Sequence, residues 1–101
     1  MTLEQLHELL KSTGFPVAYG YFSEEQQFPY ILYRVTYSNN FGADNRVYQK
    51  NSHIQVELYT KLKDQHAESK TEQALSSLFW EKSEEYIDTE RCYQILYEIE
   101  V

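Results

Sequence analysis

The sequence has little of what disulfide-linked secreted domains and membrane proteins need. Cys92 is the only cysteine, so no internal disulfide can form, and a reducing compartment is favoured. No apolar run approaches the roughly 20 residues that span a bilayer. The opening stretch, MTLEQLHELL, lacks the basic and apolar regions of a signal peptide. We therefore expect no membrane-spanning segment and no membrane partner.

Basic residues and glycines are also scarce. Nine Lys and Arg stand against 16 Asp and Glu, a net charge of −7. A chain so acidic lacks the basic stripe that neutralises phosphates, so we expect no specific nucleic-acid binding. Only three glycines are present, and they form no Gly-rich phosphate-binding loop and no nucleophile elbow. Phosphate-binding loops and serine-hydrolase motifs are thus excluded.

The residues that could carry chemistry form no recognisable set. His7, His53 and His66 are not at metal-ligand spacing with one another or with Cys92. We expect Cys92 to be a small buried apolar residue, because a reactive thiolate needs a nearby cation or base. Asp44 and Glu57 could act as an acid/base pair only if the fold brought them together. We therefore predict no metal, no cofactor and no enzymatic activity, and keep a small enzyme that uses Asp44 or a Tyr hydroxyl as an alternative.

Tyrosine is the residue type in excess, with ten in 101 residues. Ten phenols cannot all enter so small a core, and tyrosine is enriched at protein contacts. Tyr33, Tyr93 and Tyr97 fit half-buried strand faces. Other tyrosines, and two leucines, share strand faces with polar neighbours instead: Tyr30, Tyr48, Tyr59, Leu32 and Leu96. A surface that contacts other protein is therefore predicted.

The pattern of the chain predicts two helices. Thr2 and Gln5 have capping-box spacing and open a helix whose apolar face carries Leu3, Leu6, Leu9 and Leu10. Gly14 can supply its left-handed end. Asp64 is an N-cap candidate for a second helix, with a narrow apolar stripe that ends at Phe79 and Trp80 and contains Ala67, Thr71, Ala74, Leu75 and Leu78.

Alternating segments predict the strands. After Pro29, the core-facing set is Ile31, Tyr33 and Val35, and a second strand alternates through Ile54, Val56 and Leu58. Between them, turn formers predict a loop over Ser38–Asn45, followed by a break at Lys50–Ser52. Shorter candidates are 17–22 and 84–88, and a last strand carries Tyr93, Ile95, Tyr97 and Ile99. The predicted fold is α+β, one domain over 1–101, with two α-helices packed on an antiparallel β-sheet in the order α-β-β-β-α-β-β.

Several segments together resemble a known family. They are the N-terminal amphipathic helix, Pro29-Tyr30-Ile31-x-Tyr33, Ala43-Asp44-Asn45, the strand Val56–Thr60, an acidic helix and a closing strand pair. This order resembles the tail-terminator (tail-completion, or head-to-tail joining) proteins of long-tailed bacteriophages and prophages. The resemblance covers nearly the whole chain as an order of elements, and its residue-level match is confined to the three short pieces PYIxY, ADN and VELYT.

The resemblance implies a structural role in the virion, with assembly in the cytoplasm of a bacterial host. Members of that family form rings, commonly hexameric, that close the tail tube and present a surface to the head connector. The partners implied are copies of the chain itself, the tail-tube protein and the head-connector protein. By resemblance, the loop would point toward the ring lumen or the tube end with its residues Asn40, Phe41, Gly42, Ala43, Asp44 and Asn45. No cofactor is implied.

A ring requires two different complementary patches on each subunit. We hypothesise that Tyr30, Leu32, Tyr48 and Tyr59 contribute to one of them. A head-side connector is the closest variant of this interpretation. The alternative from another class is a small acidic intracellular binding or inhibitor module whose surface mimics nucleic acid.

Overall fold

A computed structural model describes the backbone of residues 1–43 and 46–101 and the side chains of residues 1–37 and 52–101. Its elements follow the predicted order: α1 (Leu3–Lys11), β1 (Val17–Tyr19), β2 (Tyr30–Ala43), β3 (Arg46–Thr60), α2 (Gln65–Ala74), β4 (Trp80–Ile87) and β5 (Cys92–Glu100). The strands form a five-stranded sheet in the order β1-β2-β3-β5-β4. The pairing is antiparallel except between β1 and β2, which are parallel. The predicted α+β class is confirmed.

Local signals place the helices. The Thr2 hydroxyl accepts from the Gln5 amide at 3.1 Å, while the Gln5 side chain accepts from the Thr2 amide at 2.8 Å, so the predicted capping box is present. Gly14, at φ +87°, supplies the left-handed turn after α1. Asp64 caps α2 by accepting from the Ala67 amide at 3.0 Å.

The core lies between the two helices and one face of the sheet. Leu6 and Leu10 of α1 and Leu75 after α2 are fully buried against the sheet. The predicted core-facing strand residues Ile31, Tyr33, Ile54, Val56, Leu58, Ile95, Tyr97 and Ile99 belong to the same cluster. Alternation along a strand sends every second side chain to the opposite face. That opposite face, called the open face below, carries Tyr30, Leu32, Arg34, Gln55, Glu57, Tyr59, Gln94, Leu96 and Glu98.

Two predicted boundaries near β4 are wrong. Helix α2 ends at Ala74, and Trp80 begins β4 instead of closing the helical stripe. Ser76 and Ser77 follow the C-cap residue Leu75, and serine competes with the helix by bonding to the nearby backbone. Strand β4 therefore begins four residues before the predicted Glu84. It forms one edge of the sheet, and its residues from Glu81 to Tyr86 are all exposed.

The loop predicted over Ser38–Asn45 is also wrong for residues 38–43, which belong to β2, and Asp44 and Asn45 lie outside the described residues. The predicted break at Lys50–Ser52 is absent because β3 runs without interruption from Arg46 to Thr60. Cross-strand pairing explains both differences. Backbone groups of residues 39–43 pair with those of residues 46–51, and such bonds form whatever the side chains are.

Candidate functional site: the arm and the open face

The β2–β3 hairpin extends beyond the rest of the sheet. Strand β5 pairs with β3 only as far as His53, and Ser52 exchanges two backbone hydrogen bonds with Val101 at 3.0 and 3.1 Å. Past that point, within the described backbone, residues 39–43 and 46–51 pair only with each other. We call this two-stranded segment, with the residues between its strands, the arm. Its strands contain Asn40, Phe41, Gly42 and Ala43 of the predicted lumen or tube-contact segment, and also Tyr48, while Asp44 and Asn45 lie outside the described residues.

A β-bulge precedes the arm. Val35 pairs with Ile54 and Tyr37 pairs with His53, so Thr36 is the extra residue in β2. The bulge moves Tyr37 to the open face, where its ring stacks on His53 with a centroid distance of 4.7 Å. His53 Nε2 lies 3.5 Å from a carboxylate oxygen of Glu98. The base of the arm is thus fixed by ring stacking and by a polar contact to β5.

At the centre of the open face lies a buried carboxylate. Glu57 stands between Leu32 on β2 and Leu96 on β5, and only 8% of its surface is exposed. Its Oε1 accepts from the Tyr59 hydroxyl at 2.8 Å and from Gln94 Nε2 at 2.7 Å. These bonds compensate for the removal of the carboxylate from water. The two leucines do share the open face, as the sequence suggested, but Glu57 separates them.

The same network involves Tyr59. Burial, and then its hydrogen bond to Glu57, raise the pKa of the Tyr59 phenol well above the usual range. Gln94 Nε2 also donates to the Tyr59 hydroxyl at 2.9 Å. The Tyr59 hydroxyl is therefore committed to contacts inside the subunit, and its ring is stacked on that of Tyr30.

Aromatic rings stack at the end of the sheet where β2 begins. Tyr30 stacks on Tyr59 at 5.0 Å between centroids and on Phe28 at 5.3 Å, and Phe22 meets the Tyr30 ring edge-on at 5.5 Å. Such pairs contribute beyond the area they bury. The connection between β1 and β2 supplies both phenylalanines, so it folds against this end of the sheet.

These rings line a cleft of about 600 Å³, called the aromatic cleft below. Its walls include Phe22, Phe28, Tyr30 and Leu32, and its remaining lining is largely polar: Tyr21, Ser23, Glu24, Glu25, Gln26, Lys61 and Glu90. Burial raises the pKa of the Tyr30 phenol, and the acidic groups Cys92, Glu90 and Glu25 raise it further. The cleft therefore combines apolar rings with carboxylates.

Three of the four residues of the hypothesised contact patch lie at one end of the open face. Tyr30, Leu32 and Tyr59 lie together at the cleft end of the open face, where Tyr30 is paired with Tyr59. Tyr48 belongs to the arm, eleven residues along β3 from Tyr59, and its side chain lies outside the described residues. Sequence reasoning missed this separation because it predicted a loop over Ser38–Asn45 and a break at Lys50–Ser52, on either side of Tyr48.

Cys92 and the three histidines lie on four different elements of the described fold. Cys92 is fully buried as predicted, and burial raises the pKa of its thiol. His7 Nδ1 lies 2.9 Å from the Tyr33 hydroxyl. The side chain of His66 is exposed. Among the described side chains, no group of three or more His, Cys, Asp or Glu residues is arranged to hold a metal ion. Asp44, the imagined partner of Glu57, lies outside the described residues.

Comparison with known proteins adds no assignment. The chain matches no protein-family model and no curated protein. Neither described helix is long and apolar enough to cross a membrane.

Proposed function

We propose that this chain is a structural subunit of a bacteriophage or prophage virion, a tail-terminator or head-to-tail joining protein that forms a ring. The observation that carries the proposal is the arm, which leaves the sheet at the end opposite the aromatic cleft. A subunit with two unlike binding features at opposite ends can contact one neighbour with each of them. The resemblance in the order of elements supports the same function.

The proposed partners are other copies of the chain, the tail-tube protein and the head-connector protein. The arm would reach outside its own subunit, toward the lumen and tube end or toward a neighbouring subunit. A net charge of −7 is compatible with DNA passing through the ring without adhering. Assembly would take place in the cytoplasm of the bacterial host, and the ring would remain in the virion.

Electron microscopy of the purified protein, alone and mixed with tail tubes, tests the proposal. We expect annuli of uniform diameter and tubes capped at one end. The matched control replaces residues 39–51 by Asn-Gly, which keeps the Ser38–Ser52 pair and closes the hairpin with a two-residue turn. We expect this variant to fold and to cap no tubes. A wild-type protein that stays monomeric in the presence of tubes would overturn the proposal.

The open face also favours a second candidate function, a small acidic binding or inhibitor module. Glu81 on β4 pairs with Glu98 on β5, and Glu85 and Glu100 are exposed further along the same face. A face rich in carboxylates can imitate the phosphates of a nucleic acid and attract a basic protein. This function predicts a monomer that binds a basic partner with strongly salt-dependent affinity and forms no annuli.

A further inference from the structure

We propose that the arm of one subunit lies in the aromatic cleft of the next subunit. This inference rests on the proposed function and deepens it, since it names the two surfaces that join the ring. It also assigns the arm to a contact between subunits.

The cleft fits a basic segment. The rings that line it, Phe22, Phe28 and Tyr30, have π faces, and an aromatic π face attracts an ammonium or guanidinium group. Glu24, Glu25 and Glu90 are exposed carboxylates in its lining, and Lys61 is the one basic residue there, within the described part of the chain. At about 600 Å³ the cleft has a size that can bury several side chains.

The arm has the complementary charge. Residues 39–51 contain Arg46 and Lys50 against Asp44, a net charge of +1, so the rest of the chain carries −8. Two other basic side chains, Lys63 and Lys82, are engaged in ion pairs with Glu68 inside their own subunit. Charge complementarity therefore favours the arm as the occupant of the cleft.

The topology requires that such a contact joins two copies. Tyr30, in the cleft, is the first residue of β2, and Ala43, near the tip of the arm, is the last. A 14-residue strand spans about 45 Å, so an arm cannot fold back into the cleft of its own subunit. Two unlike patches at opposite ends give a head-to-tail contact, which closes into a ring when the rotation per subunit divides a full turn. The separation of Tyr48 from Tyr30 and Leu32 has the same explanation, because the two sets meet only between neighbours.

Charge exchange tests the contact. The cleft variant is Glu24→Lys with Glu25→Lys, the arm variant is Arg46→Glu with Lys50→Glu, and the combined variant keeps the net charge of −7. The control, Glu81→Lys with Glu85→Lys, makes the same charge change as the cleft variant at exposed positions of β4. Light-scattering mass across a concentration series measures assembly, and circular dichroism verifies folding.

We expect the cleft and arm variants each to raise the concentration needed for assembly by about tenfold or more, which corresponds to the loss of one or two charge pairs. The combined variant should assemble at a concentration within about threefold of that of wild type, a difference smaller than one tenfold step in affinity. The control should assemble as wild type does. A combined variant no better than either parent would overturn the proposed contact.

The outcomes separate this inference from the proposed function. Rings that are insensitive to both exchanges would overturn arm docking and leave the ring function standing. If the cleft variant forms rings but caps no tubes, the cleft receives a basic segment of the tube protein and arm docking is overturned. Association that responds to the exchanges but stops at open chains would support the contact and overturn the ring. A chain that never associates would overturn both.

Discussion

The hydroxyl of Tyr59 donates to the carboxylate of Glu57 at 2.8 Å, two residues away on the same face of β3. With Gln94, the pair forms a polar cluster on the side of the sheet away from the helices. Buried polar groups of this kind stabilise a fold only when each has its partner. The cluster therefore sets the positions of the side chains beside the aromatic cleft.

Removing one member of this cluster should destabilise the fold measurably. We expect Tyr59→Phe to lower the free energy of unfolding by about 1–2 kcal/mol, because Glu57 loses a donor. Glu57→Ala should cost about 2–4 kcal/mol, since the Tyr59 hydroxyl loses its acceptor and Gln94 Nε2 loses one of its two. Urea unfolding monitored by fluorescence measures both. Tyr86→Phe is the control, since Tyr86 is 46% exposed, and equal losses at positions 59 and 86 would contradict the role given to the cluster.

An ion cluster around the buried Glu68, at the side of α2 that faces β4, should make stability depend on acidic pH. Glu68 lies 2.7 Å from the amino groups of both Lys63 and Lys82. Burial alone would raise the pKa of Glu68, but the hydrogen bonds from the two lysines outweigh it and hold the pKa below its usual 4.5. The carboxylate's contribution is thus present above pH 4.5 and is lost as the pH falls through the lower pKa of the folded state.

Glu68→Gln should therefore cost about 1–3 kcal/mol at pH 7 and progressively less below pH 4.5. Thermal unfolding at pH 7, 5, 4 and 3 gives the profile. Glu8→Gln, at an exposed position of α1, is the control, and its stability should change with pH as that of wild type does. If the difference between Glu68→Gln and wild type were the same at every pH, the linkage argument would fail.

Two leucines of α1 offer a matched comparison of burial. Leu10 is fully buried, whereas Leu3 is 37% exposed. We expect Leu10→Ala to cost about 2–5 kcal/mol through lost transfer energy and a residual cavity. Leu3→Ala should cost less than about 1 kcal/mol, as surface substitutions usually do. Chemical denaturation of the two variants side by side checks this, and a larger loss at Leu3 would mean that α1 packs on the sheet through a different face.

Shortening the arm should separate folding from assembly. Replacing residues 39–51 by Asn-Gly keeps every described residue of the core cluster, so we expect the free energy of unfolding to stay within about 1 kcal/mol of wild type. Assembly measured by light scattering should be lost. A variant that unfolds would show that the arm is part of the folding unit, and one that assembles normally would show that the arm does not join subunits.

Local signals in the sequence were sufficient to predict most of the fold. The capping box at Thr2, the cap at Asp64 and the alternation from Ile54 to Leu58 each depend on interactions within a few residues, and all three are confirmed. The arm was not predictable in the same way. Asn and Ser favour turns in isolation, but pairing between residues 39–43 and 46–51 depends on the opposite strand.

The candidate site was predictable only in part. The alternation of apolar and polar residues along β2 and β3 correctly placed Tyr30, Leu32 and Tyr59 on the same face of the sheet. It could not reveal that Gln94 donates to the Tyr59 hydroxyl, because that contact joins residues 35 apart in sequence. The Thr36 bulge, which turns Tyr37 to the open face, likewise has no signal in the periodicity on either side of it.

The edge strand β4 has a consequence for how copies of this chain meet. Glu81, Lys82, Glu84 and Glu85 lie on eight residues of outermost strand, and charges there oppose backbone pairing with a further strand. A contact between copies at this edge would then form through side chains and leave their sheets discontinuous there. Raising the salt concentration should weaken such contacts between charged side chains and release folded subunits that can reassemble.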